Sequence, residues 1–107
     1  MSLFKKKIIE GKEARLQDIK SFEELYLKKQ NKRTEAKIAE KVGDLIEYLK
    51  DEDAEVRKAA AIGLSKTSNT TAATSLCHYV TYEKDRETAD AMREAAVLIR
   101  KNMEINK

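Results

Sequence analysis

The sequence predicts an all-α protein, and three observations carry that expectation. Proline is absent and glycine occurs three times in 107 residues, whereas a β-rich chain of this length draws on both for its tight turns. Charged residues make up 38% of the chain beside 41% hydrophobic ones, a balance that suits helices with one solvated face. Apolar residues also recur at helical spacing in every segment that reads as structured. A chain of this length forms one domain with a modest core.

Taken in order, the N-terminal third is the least regular. Gly11 separates a short opening helix, Leu3 to Ile9, from the helical segment after it. Leu16, Ile19, Phe22 and Tyr26 fit one helix face, yet Ser21 with Glu24 also reads as a capping box. Residues 12–30 therefore suit one helix or two equally well. From Ala36 to Lys50, the residues Ile38, Val42, Leu45, Ile46 and Leu49 form a single stripe, with Thr34 as the expected N-cap. Asp53 is placed to cap the next helix, whose stripe is Val56, Ala59, Ala60, Gly63 and Leu64. The run "SKTSNTT", residues 65–71, holds turn and capping residues between two helices. Ala73, Leu76, Cys77 and Val80 then predict a helix. Met92, Ala95, Ala96 and Ile99 predict a last one after "YEKDRET", fraying near Asn102.

The chain also repeats itself. "DLIEYL" at 44–49 aligns with "SLCHYV" at 75–80, an offset of 31 that pairs Leu45 with Leu76 and Tyr48 with Tyr79. "VRKAAAIGL" at 56–64 aligns with "MREAAVLIR" at 92–100, an offset of 36 that pairs Arg57 with Arg93. These matches imply two tandem helical hairpins, the second with a corner about five residues longer. The stretch "LIEYLKDEDAEVRKAAAIGL", residues 45–64, resembles the HEAT family, and more closely the HEAT-like repeats named after phycobilisome lyases. A Leu-rich first helix leads there to an acidic turn, Val-Arg, and an Ala-rich second helix. In the second unit Met92 replaces the valine and Arg100 stands where the first has Leu64.

The resemblance covers roughly residues 36–103 and implies a short α-solenoid of five to six helices. A basic helical cap at 1–35 would precede two repeats in 36–107, at about 36–66 and 70–103, because such a repeat cannot bury its face alone. The resemblance further implies a structural corner in which Asp51 or Asp53 holds Arg57, and Asp85 or Asp90 holds Arg93.

Nothing in the residue pattern calls for catalysis, a metal or a cofactor. Cys77 and His78 are adjacent, so on a helix they point about 100° apart and rarely share an ion. Cys77 is expected in the core and His78 at the surface. Acids at 51, 53 and 55 lack the glycine and the bidentate glutamate of a calcium loop, since Val56 and Ile62 stand at those places. The glycines at 11, 43 and 63 match no phosphate-binding loop. The function expected is therefore a non-catalytic scaffold or adaptor for protein–protein interaction. Its binding face would be the outer side of the second helices, with Lys58, Ala61 and Ser65 beside Glu94, Val97 and Lys101.

Charge offers an alternative partner. Residues 1–41 carry 12 Lys/Arg against 7 Asp/Glu, and Lys5, Lys6, Lys7, Lys28, Lys29, Lys32 and Arg33 would suit nucleic acid or an anionic membrane surface. The lyase resemblance adds a bilin-lyase-related accessory role as a third possibility, and an exposed last repeat would allow a dimer. A single cysteine and the lack of a signal-peptide pattern lead to the expectation of a cytoplasmic protein.

Overall fold

A computed structural model describes residues 11–28 and 32–105. It shows five helices in chain order: α1 (Lys12–Leu27), α2 (Lys32–Tyr48), α3 (Ala54–Leu64), α4 (Thr70–Val80) and α5 (Arg86–Ile105). No strand occurs among the described residues. The opening helix expected at Leu3 to Ile9 lies outside them. α3 packs between α1 and α5, and these three form one layer. α2 and α4 form the other, α2 lying over α1 and α3 and α4 lying over α5. The hairpins α2–α3 and α4–α5 thus stack side by side, and α1 takes the place of the second helix of a preceding hairpin. The molecule is a short all-α solenoid.

Caps mark three of the starts. The Asp53 carboxylate accepts the Glu55 N–H at 2.8 Å and opens α3. Asn69 accepts the Ala72 N–H at 2.8 Å and opens α4. Asp85 accepts the Thr88 N–H at 3.0 Å in the first turn of α5. Each such contact satisfies a donor that the helix itself leaves free, for about 1 kcal/mol.

α1 is one uninterrupted helix, with Ile19 and Phe22 buried and Ser21 exposed in its middle. Ser21 therefore caps nothing, because the continuous apolar face outweighs the few tenths of a kcal/mol that a mid-helix serine costs. α2 begins at Lys32, which puts Thr34 inside the first turn rather than at the cap. In α4 the buried stripe is Ala72, Ala73 and Leu76, and Cys77 is exposed, contrary to the expected core position. Its sulfur lies toward α5, 3.8 Å from the Arg100 guanidinium. α5 begins at Arg86, inside "YEKDRET", and continues past Asn102 to Ile105. The Asn102 amide donates to the Ser65 and Thr67 carbonyls at 3.0 and 2.9 Å. That anchor holds the turn that the sequence suggests should fray.

The second repeat does not have a longer corner. The corners are residues 49–53 and 81–85, five residues each. Equivalent caps, Asp53 and Asp85, stand 32 residues apart, not 36. The difference of four is close to one helical turn, so the sequence match slid one turn along α5 while keeping its faces aligned. At the true offset Val56 corresponds to Thr88 and Ala60 to Met92, all four buried.

α3 is the centre of the stack. Val56, Ala60, Ala61, Gly63 and Leu64 are all buried, because helices close on it from three sides. A side-chain carbon added at Gly63 would stand 2.9 Å from Leu45 Cδ2 and 3.4 Å from Ile19 Cγ2. The missing side chain is what lets α1 and α2 come this close.

Candidate protein-interaction groove

The surface of the α1–α3–α5 layer holds a groove of about 580 Å³ between α3 and α5. Helical spacing builds both walls. On α5, Glu87, Asp90, Glu94 and Leu98 follow one another by three and four residues, with Ala91 and Ala95 beneath them. On α3 and its C-cap, Lys58, Ile62 and Ser65 do the same. Ile62 is 43% exposed and Leu98 38% exposed, so two large aliphatic side chains from neighbouring helices stand open to solvent in one groove. Lys58 reaches across it to Glu87 at 3.0 Å. Asp90 is held by Arg93 of its own helix at 2.8 Å. Glu94 is exposed with no basic partner among the described residues.

The six residues proposed from sequence as a binding face divide. Lys58, Ser65 and Glu94 line the groove. Ala61 is fully buried against the stack, and its neighbour Ile62 occupies the open face instead. Only the middle residue of the expected trio was one position off, about 100° around α3. Val97 is exposed but lies outside the groove, and Leu98 takes the position assigned to it. Lys101 is exposed near the C-terminal end of α5 without lining the groove. Ile62, Glu87 and Leu98 were missed. The seven-residue steps Ala91, Leu98, Ile105 were the available signal, a second apolar line on α5 beside the core stripe.

The corner residues form a ladder along one edge of the solenoid. The Asp51 carboxylate accepts the Asp53 N–H at 2.9 Å and faces Arg15 Nε at 2.7 Å. One repeat on, the Glu83 carboxylate accepts the Asp85 N–H at 3.1 Å and takes a two-pronged contact from Arg57. Arg57 Nε and Nη2 donate to its oxygens at 2.7 and 2.8 Å. Arg57 Nη1 donates at 2.7 Å to the Asp51 main-chain carbonyl. Arg57 is therefore held by Glu83 and a backbone oxygen rather than by the Asp51 or Asp53 carboxylate, both of which are occupied elsewhere. Asp53 caps α3 and faces Lys12 at 3.4 Å, while Lys12 meets Glu55 at 2.6 Å. Arg93 does not reach a corner; it pairs with Asp90 on the α5 surface, and Asp85 instead caps α5 through Thr88.

Charge neighbours set the electrostatics of this edge. The Arg57 guanidinium holds the Glu83 carboxyl below the usual carboxylate range against the opposing effect of burial. Arg57 is itself raised, chiefly by Glu83. At the α1–α2 contact, burial pushes Asp18 upward, but Lys41 and the Tyr48 hydroxyl, each 2.8 Å away, outweigh it and leave Asp18 lowered. Burial, aided by Asp18, raises Tyr48 to about 12.

Elsewhere, His78 is exposed and meets Tyr79 and Tyr82 edge-on, with ring centroids 5.0 and 5.3 Å away. Among the described residues no group of three His, Cys, Asp or Glu side chains converges as a metal site would. No described helix is long and apolar enough to cross a membrane. Of the basic residues proposed for an anionic partner, Lys28 is exposed at the end of α1. Lys5, Lys6, Lys7 and Lys29 lie outside the described residues, as do the side chains of Lys32 and Arg33.

Stacked hairpins in two layers, with a solvent-facing groove between successive second helices, define a helical-repeat solenoid. The family model of HEAT repeats matches residues 19–97, and the chain belongs to the HEAT-repeat family. That span takes in the second half of α1, in keeping with the place of α1 in the second-helix layer. The narrower likeness to phycobilisome-lyase repeats is not supported by this match. No curated protein and no solved structure matches the chain. HEAT repeats generally mediate protein–protein interaction.

Proposed function

We propose that this chain is a small non-catalytic interaction module that presents the α3–α5 groove to another protein. One observation carries the reading: Ile62 and Leu98, on neighbouring helices, stand open in one groove, whereas the other exposed aliphatics among the described residues, Leu27, Val97 and Ile105, lie outside it. Covering two such side chains stabilises a complex by roughly 25 cal/mol per Å² of apolar surface removed from water, and Lys58, Glu87 and Glu94 around them supply orientation.

Val97 and Leu98 give the test an internal control, because both are exposed and adjacent, yet only Leu98 lines the groove. Affinity capture from native extract should recover the same partners with wild type and Val97→Asp and lose them with Leu98→Asp. Equal recovery by all three proteins would overturn the reading.

A further inference from the structure

We infer that the α3–α5 groove receives a basic amphipathic helix, its apolar residues seated on Ile62 and Leu98 and its lysines or arginines reaching Glu87, Asp90 and Glu94. This rests on the reading of the groove as the docking site and names the chemistry of its occupant.

Three features of the groove select that occupant. Its lining carries three carboxylates against one ammonium, and the ammonium, Lys58, is already engaged with Glu87. Glu94 has no basic partner among the described residues, so a neutral apolar partner would strip its water without replacing it, and an acidic one would add like-charge repulsion. A cationic side chain satisfies Glu94 and competes with Arg93 for Asp90.

The walls are helices, so neither offers the open backbone N–H and C=O groups that pair an extended peptide. A helical partner satisfies its own backbone and needs only side-chain partners. The length fits as well, since the 11 residues of α3 give a wall of about 16 Å, room for about three helical turns. Apolar residues at successive positions three and four apart on the partner would then follow the line of Ile62 and Leu98.

The charges also give the partner a direction. The carboxylates at 87, 90 and 94 stand in the first half of α5, whereas Lys66 and Lys101 are exposed beyond Leu98. The basic residues of the partner belong beside the first half of α5.

Fluorescence anisotropy with two synthetic amphipathic helices of about four turns tests this on the full chain. Both carry leucines along one stripe, one has lysines on the flanks and the other glutamates. The lysine peptide should bind, and should weaken about tenfold on Glu94→Lys, an exposed substitution, as expected for loss of a close charge pair. Leu98→Asp should abolish its binding and Val97→Asp should leave it unchanged. Glu94→Lys should improve binding of the glutamate peptide.

If the glutamate peptide binds wild type as well as the lysine peptide does, and Leu98→Asp abolishes both, the basic partner is wrong and the groove stands. If neither peptide binds in a way that depends on Leu98, both readings fall. Sedimentation showing a dimer that Leu98→Asp dissociates would assign the groove to a second copy of the chain and overturn the basic helix.

Discussion

α3 and α5 are the same element in different surroundings. At the 32-residue offset their burial agrees at the positions that face their own first helices: Val56 with Thr88, Ala60 with Met92, Gly63 with Ala95 and Leu64 with Ala96 are all buried. The disagreement falls at Ala61, fully buried, and Arg93, exposed. Among the described residues, α3 has a second-layer neighbour on both sides, α1 and α5, whereas α5 packs on α3 alone in its layer. The side that α5 covers on α3 takes an alanine, and the corresponding side of α5, left open to solvent, takes an arginine. In a solenoid, whether a small or a charged residue stands at a position depends on stacking as much as on the repeat.

The most severe way to break this comparison is to give α3 the residue that α5 carries. Ala61→Arg forces a long cation into a close-packed contact at a fully buried position, which should cost at least ~3 kcal/mol. Thermal unfolding followed by circular dichroism should show a large fall in Tm or no cooperative transition. A Tm close to wild type would mean that α5 does not seal that side of α3.

Much of this architecture is legible in the sequence, and the failures have a common cause. Helix positions, the Asp53 cap and the tandem hairpins follow from local chemistry and from 3.6-residue periodicity, which a single sequence displays. Register and neighbours do not. Ala61 and Ile62 are both apolar and adjacent, and only the position of α5 decides which one is covered. Cys77 sits on an apolar-looking stripe but faces the side of α4 that turns toward Arg100 rather than the core. The 36-residue match survived because a slip of one turn leaves the faces in place. Glu83 as the partner of Arg57 was hidden because the contact joins two repeats, while the resemblance paired residues within one.

That contact is the second point at which the two helices differ, since the α5 residue corresponding to Arg57 is Ala89. Arg15 of α1 stands four residues after Gly11 as Arg57 stands four after Asp53, and each lies against the acid of the next corner, Arg57 alone with hydrogen bonds to it. The ladder runs Arg15–Asp51, then Arg57–Glu83, and α5 carries Ala89 at the position where an arginine would extend it. Glu83→Gln keeps the shape and removes the charge of a side chain that is only 3% exposed. The loss should be ~2 kcal/mol at neutral pH, the range for hydrogen bonds to a charged group.

The pH dependence of this loss has a definite sign. Glu83 is held below its ordinary value, near 4.5, so the folded state favours the ionised form. The contribution is complete above that ordinary value and fades as pH falls through the lowered one. Urea unfolding of wild type and Glu83→Gln should therefore show a gap that is widest at neutral pH and closes in acid. A gap that stays constant into acid would place the effect in packing rather than in the ion pair.

The mildest test concerns Arg93 itself. Its guanidinium also lies 2.8 Å from a carboxylate, the same order of distance as Arg57 to Glu83. Yet the side chains of Arg93 and Asp90 are 63% and 68% exposed, so water screens the attraction and already solvates both groups. Arg93→Ala should change stability by no more than ~0.5 kcal/mol, and the small difference should shrink further as salt is added. A loss as large as that of Glu83→Gln would show that the open side of α5 is covered in solution, and the contrast between the two helices would then be one of partner identity rather than of exposure.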